Sequence, residues 1–276
     1  MRKKSWRLII DSPLKGSSNM AVDESMLVHC SENQIPTLRF YKWEPACLSL
    51  GYFQKTGEID LEACSDQGID VVRRPTGGRA VLHKNELTYS VTIPLSILPG
   101  KLLETYRVLS TALTEGLKIL GLPAQLTPAQ KKLETNSAAC FDVASSYEIN
   151  SDGKKLIGSA QTRRGEALLQ HGSIPLFDYN QELASLFTLP SERKKALQRI
   201  LRQKATTLVQ EGFPCNEEAY LESIPQLENA IIEGFKKTLG INFSEGRISK
   251  EEEELAQKLE TEKYLFLDWK KERRTE

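Results

Sequence analysis

Leu102, Tyr106, Leu109, Leu113, Leu117 and Leu120 recur at intervals of three or four and form a single apolar stripe, so the pattern predicts an amphipathic helix over residues 102–120 whose apolar face is core. Upstream of it the apolar positions read mainly as strands: a short run at 6–10, β-branched and aromatic residues at 37–41 and 47–53 on either side of a Glu44-Pro45 turn, further runs at 69–73 and 80–83, and an alternating segment at 87–94. Two helices interrupt these strands. One spans 20–30, where Ser17, Ser18 and Asn19 offer capping side chains and Asp23 and Glu24 fall near the start as acids favoured by the helix dipole; the other spans 60–67 and is ended by Gly68. The polar run 128–137 lacks periodicity and predicts an exposed loop. Beyond it, segments 147–149 and 155–161 flank the turn Asn150-Ser151-Asp152-Gly153, and a second turn at Arg163-Arg164-Gly165 leads into 167–174, which predicts a three-stranded meander. From residue 180 the pattern turns helical, over 181–187, 191–201, 217–240 with an interruption at Pro225, and 250–263. Strands first and helices later imply an α+β fold of mixed β-sheets flanked by helices, with a helical C-terminal part.

Composition narrows the partners. Among 276 residues the basic and acidic side chains balance at 37 each, so no global field draws the chain to nucleic acid or to an anionic membrane. The basic start Met1-Arg2-Lys3-Lys4 leads only into a short apolar run before Asp11, too short for a signal core or a membrane span, and a cytoplasmic protein is expected. Five cysteines, an odd number without CxxC spacing, predict free thiols and no disulfide framework. His29, His83 and His171 fall in different elements without metal-ligand spacing, so no metal is expected.

The candidate chemistry centres on Cys140, in Ala139-Cys140-Phe141-Asp142, and Lys155, in Gly153-Lys154-Lys155-Leu156-Ile157-Gly158-Ser159-Ala160-Gln161. A thiolate is the reactive form of cysteine, and an ammonium held close lowers a thiol pKa by favouring the charged state. The pair therefore suggests covalent acyl chemistry without a nucleotide. Each residue also has an ordinary reading, the cysteine as a small buried hydrophobe and the lysine as a solvated neighbour of Lys154. His171 offers a Cys/His alternative with imidazole as base, ranked below Lys155 because a strand histidine is often a hydrogen-bonded structural residue. Gly77 and Gly78, in Arg73-Arg74-Pro75-Thr76-Gly77-Gly78-Arg79, permit positive φ and leave room for a ligand chain against backbone; alone they equally describe a tight turn.

The segment from Arg73 to His83, followed by Glu86-Leu87-Thr88-Tyr89-Ser90, resembles the lipoate-protein ligase and octanoyltransferase superfamily, which shares its fold with biotin ligases. Asn19-Met20-Ala21-Val22-Asp23-Glu24, Gly51-Tyr52-Phe53-Gln54, Gly158-Ser159-Ala160-Gln161 and Gln170-His171-Gly172-Ser173-Ile174 fall in the family's order, and the resemblance covers roughly residues 5 to 210. It implies a biotin/lipoate ligase-like catalytic domain over 1–240, with 241–276 as a helical extension of the same domain. Ligases of the superfamily carry a similar arginine-glycine-histidine segment and a lysine like Lys155; the cysteine points instead to the octanoyltransferase branch. That branch implies transfer of octanoyl from octanoyl-acyl carrier protein, through a Cys140 thioester, to a lysine of an apo lipoyl-domain protein such as the glycine cleavage H protein. It also implies Cys140 and Lys155 as catalytic residues. Arg73, Arg74, Gly77, Gly78, His83, Gly158, Ser159, Ala160, Gln161 and His171 are then the substrate-binding set, with no cofactor and a monomeric protein. The octanoyl chain is expected in a slot between the Gly77-Gly78 turn and the Gly158-Ser159-Ala160 strand. Arg163, Arg164 and the Lys131-Lys132 loop are candidates for meeting acidic carriers. An amidotransferase, an ATP-dependent ligase and, last, a non-catalytic acyl-binding protein are the alternatives.

Overall fold

The computed structural model describes residues 5–98, 100–127 and 147–265. Within them two sheets form the frame. The larger has eight strands in the order β11-β1-β2-β6-β10-β9-β8-β7, and the smaller runs β4-β3-β5. Strands β1 (Ser5–Ile10), β2 (Thr37–Tyr41) and β11 (Asn242–Glu245) lie parallel at one edge of the large sheet. The centre is antiparallel, with β6 (Glu86–Pro94) between β2 and β10 (Ala167–Pro175), and β10 paired in turn with β9 (Lys154–Arg164). β8 (Ile149–Ser151) and the two-residue β7 (Gln125–Leu126) complete the far edge. The small sheet joins β3 (Cys47–Leu50), β4 (Asp70–Arg73) and β5 (Val81–His83).

Alternation along β2 explains how both faces of the large sheet are covered. Leu38 and Phe40 enter the main core with Leu109, Leu113 and Leu117 of α3 (Leu102–Ile119) and Leu227, Ile231 and Phe235 of α6 (Tyr220–Leu239). Arg39 and Tyr41 point the other way, toward α1 (Gly16–Asn33), where Met20 and Met26 pack with Ile9 and Tyr41. The helices α3 and α6 meet where Gly116 faces Gly234, and a Cβ on Gly234 would lie 2.4 Å from the Ala112 carbonyl oxygen. Behind the small sheet, α2 (Leu61–Asp66), α4 (Asn180–Ser185) and α5 (Ser191–Lys204) close a separate cluster around Leu48, Leu50 and Phe187. The last described elements are α7 (Lys250–Leu259) and a π-helical turn, Glu260–Tyr264, both packed on α1.

Three expectations change, besides the interruption expected at Pro225, which instead lies within an unbroken α6. The first helix begins at Gly16, so Ser17, Ser18 and Asn19 lie inside it. Ser17 and Ser18 donate to Glu260 at 2.7 and 2.6 Å, and the Asn19 amide spans the carbonyls of Leu14 and Lys42. Asp23 and Glu24 are therefore buried mid-helix residues, not dipole-favoured starters. Second, both strands flanking Glu44-Pro45 are present, but the one expected over 47–53 stops at Leu50, and β2 and β3 belong to different sheets. Third, the C-terminal part is helical at 250–264 but first contributes β11 to the sheet edge, with Trp6 opposite Phe243. The predicted meander is present as β8, β9 and β10. The predicted loop at 128–137, with Lys131 and Lys132, lies outside the described residues.

Candidate active site

The pairing of β9 with β10 sets Gly158 opposite Ser173, Ser159 opposite Gly172 and Ala160 opposite His171. Small residues on both strands leave the sheet surface bare there, and a cavity of about 360 Å³ opens over it. A Cβ on Gly172 would lie 2.5 Å from the Gly158 carbonyl oxygen and 2.8 Å from Tyr89 Cε1, so the strand pair closes tightly at this point. Met20, Tyr41, Trp43 and Val81 supply apolar walls, and Ser49, Arg74, His83 and His171 supply polar groups.

His171 is held from both sides. Its Nδ1 lies 2.9 Å from Asp23 Oδ2 and its Nε2 lies 2.6 Å from Thr76 Oγ1. Burial pushes the imidazole below its ordinary 6.5, against the pull of Asp23, so the neutral ring donates from Nδ1 and accepts the threonine hydroxyl at Nε2. Burial alone would raise the Asp23 carboxyl. The hydrogen bond from His171 and the charge of Arg39 outweigh it and hold that group below 3.8. The carboxylate accepts four hydrogen bonds, from Arg39 and Ser90 at one oxygen and from Tyr41 and His171 at the other. An Asp23–Arg39 ion pair with neither side chain exposed thus anchors one wall of the cavity.

A second buried carboxylate, Glu86, organises the opposite wall. Its Oε1 accepts from His83 Nδ1 at 2.7 Å and from Thr88 at 2.5 Å, and its Oε2 accepts from Ser173. Thr88 in turn accepts from Trp43 Nε1 at 2.7 Å, and the indole stacks on the His83 ring with centroids 4.0 Å apart. Trp43 and His83 are thereby fixed by one closed circuit of contacts. His83 Nε2 also meets Ser49 Oγ at 2.7 Å, where Arg74 donates from 3.1 Å.

The two arginines of the glycine-containing segment do different work. Arg74 reaches the cavity and clamps the turn through the carbonyls of Gly77 and Arg79. Arg73 is buried and donates to the carbonyls of Gly51, Tyr52 and Gln54 and to the Thr56 hydroxyl, tying down the chain after β3. Gly78 has φ 97° and its carbonyl packs where Gly51 has no side chain: a Cβ on Gly51 would sit 1.9 Å from that oxygen. Gly77 and Gly78 are not among the residues lining the cavity, so its boundary differs from the slot expected between that turn and β9. Gln161 lies farther along β9, bonded to Gln170 and Thr105, with Gln170 passing the chain on to the Tyr89 hydroxyl and Tyr89 meeting Ser159.

Lys155 enters from the other end of β9. It is 5% exposed, and its ammonium lies 2.5 Å from Glu148 Oε1, itself a buried carboxylate. Its carbonyl accepts from the Thr206 backbone amide. Cys140 lies outside the described residues. The sequence pattern singled out neither Glu86 nor Glu148 for chemistry. The only signal for Glu148 is its position across the Asn150-Gly153 turn from Lys155. Among the described residues no group of three His, Cys, Asp or Glu side chains is placed to hold a metal.

Residues 15–238 match the family described as the lipoyl protein ligase A/B catalytic domain. An octanoyltransferase named LipM from Kyrpidia tusciae is 42% identical, over 96% of this chain and 98% of its own length. One of the same name from Geobacillus kaustophilus is 42% identical over 98% and 99%. Among solved structures, the bipartite lipoate protein ligase of Thermoplasma acidophilum, studied with its E2 lipoyl domain, superposes with a TM-score of 0.82 at 26% identity, covering 99% of each chain.

Proposed function

Because the chain belongs to the lipoyl protein ligase A/B catalytic-domain family, we propose that it is an octanoyltransferase of lipoate biosynthesis that takes octanoyl from octanoyl-acyl carrier protein and delivers it to a lysine of an apo lipoyl-domain protein, the glycine cleavage H protein among them. The observation that carries this reading is the apolar cavity over Gly158 and Gly172, built on the same strand as Lys155. Burying about seven methylene and methyl groups there, at roughly 0.8 kcal/mol each, supplies several kcal/mol of affinity for the chain.

Cys140 is the nucleophile of this mechanism. Its thiolate attacks the thioester carbonyl, a carbon–sulfur bond forms to the enzyme, and the bond to the carrier's thiol breaks; Lys155 delivers a proton to the departing sulfur. The acceptor amine then attacks the Cys140 thioester, a carbon–nitrogen bond forms, and Lys155 takes up the amine's proton. Glu148 orients the lysine through both steps, held opposite it at hydrogen-bond distance. Thioester exchange is nearly balanced and amide formation runs downhill, so the cycle needs no nucleotide. Arg74, His83, His171, Ser159 and Ala160 bound the acyl group; Arg73, Gly77, Gly78 and Gln161 shape the segments around it. The enzyme works as a cytoplasmic monomer among protein carriers, and no helix among the described residues is long and apolar enough to cross a membrane.

Intact-mass measurement after incubation with octanoyl-acyl carrier protein, without ATP, tests the proposal. An octanoyl adduct that hydroxylamine removes and that Cys140→Ala abolishes is the expected result. Modification of a lipoyl domain only with free octanoate and ATP would establish a ligase instead, and efficient use of octanoyl H protein as donor would establish an amidotransferase.

A further inference from the structure

A second cavity of about 470 Å³ lies on the far side of Glu86 and Ser173 from the acyl slot. Ser173 lines both cavities, and its hydroxyl donates to Glu86, which lines only the second. Ala205 and Thr206 are among its lining residues. Residue 205 bridges to Lys155, and the Thr206 amide donates to the Lys155 carbonyl. The space is therefore lined by residues whose backbone pairs with that of the lysine proposed to manage the thioester's protons, and it shares Ser173 with the wall of the slot. Its lining alternates apolar surface from Leu82, Pro175 and Phe177 with hydrogen-bonding groups from Thr207 and Asn180. Lys84 stands at its edge, a third exposed, paired with Glu182 at 2.9 Å and placed 4.8 Å over the Tyr179 ring.

We propose that this second cavity binds the phosphopantetheine arm of the acyl donor. The inference rests on the transferase reading above. A thioester has two sides: the acyl chain fills the slot, and the part bearing the leaving sulfur needs a separate path to solvent. The pantetheine arm alternates amides and a hydroxyl with short methylene and dimethyl segments and ends in a phosphate, which matches a lining of mixed character with a lysine at its mouth. An exposed ion pair such as Lys84–Glu182 is weak in water, so a phosphate can take the lysine from the glutamate.

The test compares the rate of single-turnover acylation, read by intact mass, with three octanoyl thioesters: phosphopantetheine, pantetheine and N-acetylcysteamine, which lacks most of the arm. The intact enzyme is expected to prefer the phosphopantetheine donor over the N-acetylcysteamine donor by about tenfold or more. Asn180→Trp, which fills the cavity from the start of α4, should collapse that ratio toward one. Lys84→Gln should remove only the margin of phosphopantetheine over pantetheine, and because Lys84 is partly exposed the variant serves if Asn180→Trp fails to fold. Unaltered donor ratios in the folded variants would overturn the inference while leaving the transferase reading intact. Unaltered donor ratios together with slower transfer from the acylated Asn180→Trp enzyme to acceptor lysine peptides would overturn it in favour of an acceptor channel. No acylation of the unmodified enzyme by any thioester would overturn the proposed function and the inference with it.

Discussion

Arg39 and Asp23 form a charge pair with no exposure to water, and a buried pair is expensive to break from one side because the survivor keeps its desolvation cost without its partner. Arg39→Met should therefore cost about 3–5 kcal/mol in urea unfolding, and Arg39→Met with Asp23→Asn should cost less than the two single changes added together. Additive losses would show that the two groups are not coupled. His171 gives the same network a dependence on pH. Burial holds its folded pKa below the ordinary 6.5, so as pH falls through about 6.5 the unfolded chain binds a proton that the folded chain refuses. The stabilisation is complete above that pH and is lost on acidification toward the lower folded value. Asp23, with its carboxyl held below 3.8, contributes a further loss only in stronger acid. Urea midpoints at about pH 7.5 and about pH 5 should therefore fall less for His171→Gln than for the unmodified protein; equal declines would remove His171 as the source.

At the scale of elements, α3 and α6 approach so closely because each presents a glycine to the other. A methyl at Gly234 would meet the backbone of Ala112 and Gly116, which cannot move without shifting α3. Gly234→Ala should destabilise by about 1–3 kcal/mol, seen as a drop of several degrees in the thermal midpoint. The outlines of α3, β6 and the β8–β10 meander were legible in the sequence because a stripe at helical spacing, strand alternation and an Asp-Gly turn are local signals. The start of α1 was not. This helix is buried along most of its length by the sheet on one side and α7 on the other, so its pattern has no clean polar face, and its acids read as exposed starters until their partners Arg39, His171 and Tyr264 are placed beside them. Strand order was equally hidden, since β6 pairs with β2 and β10, segments far apart in sequence. The same limit applies to the site. Glycine and histidine motifs marked residues that do meet in one cavity, Arg74, His83, Gly158 and His171 among them, whereas Glu86 and Glu148 carry no motif and become visible only as partners.

The whole molecule ties its last described helical turn back to the cavity. Tyr264 is fully buried in one cluster with Met20, Trp43 and Tyr41, all three of which line the cavity over β9 and β10, the proposed acyl slot. Its hydroxyl donates to Glu24, which also takes Lys263 at 2.5 Å and Arg164 at 2.9 Å, so α1, the β9–β10 turn and the C-terminal turn converge on a single carboxylate. Removing the ring should act in two ways. Tyr264→Ala leaves a cavity costing about 3–5 kcal/mol, and it frees Met20 and Trp43 to relax into that space, widening the slot. Tyr264→Phe keeps the ring and removes only a donor from a carboxylate that retains two cations, a loss of about 1 kcal/mol. Acylation measured with hexanoyl, octanoyl and decanoyl donors separates the two effects: the alanine variant should lose its preference for octanoyl, and the phenylalanine variant should keep it. If both variants lose stability while chain-length preference stays unchanged, then the C-terminal turn supports the fold alone and the slot's dimensions are set within the sheet.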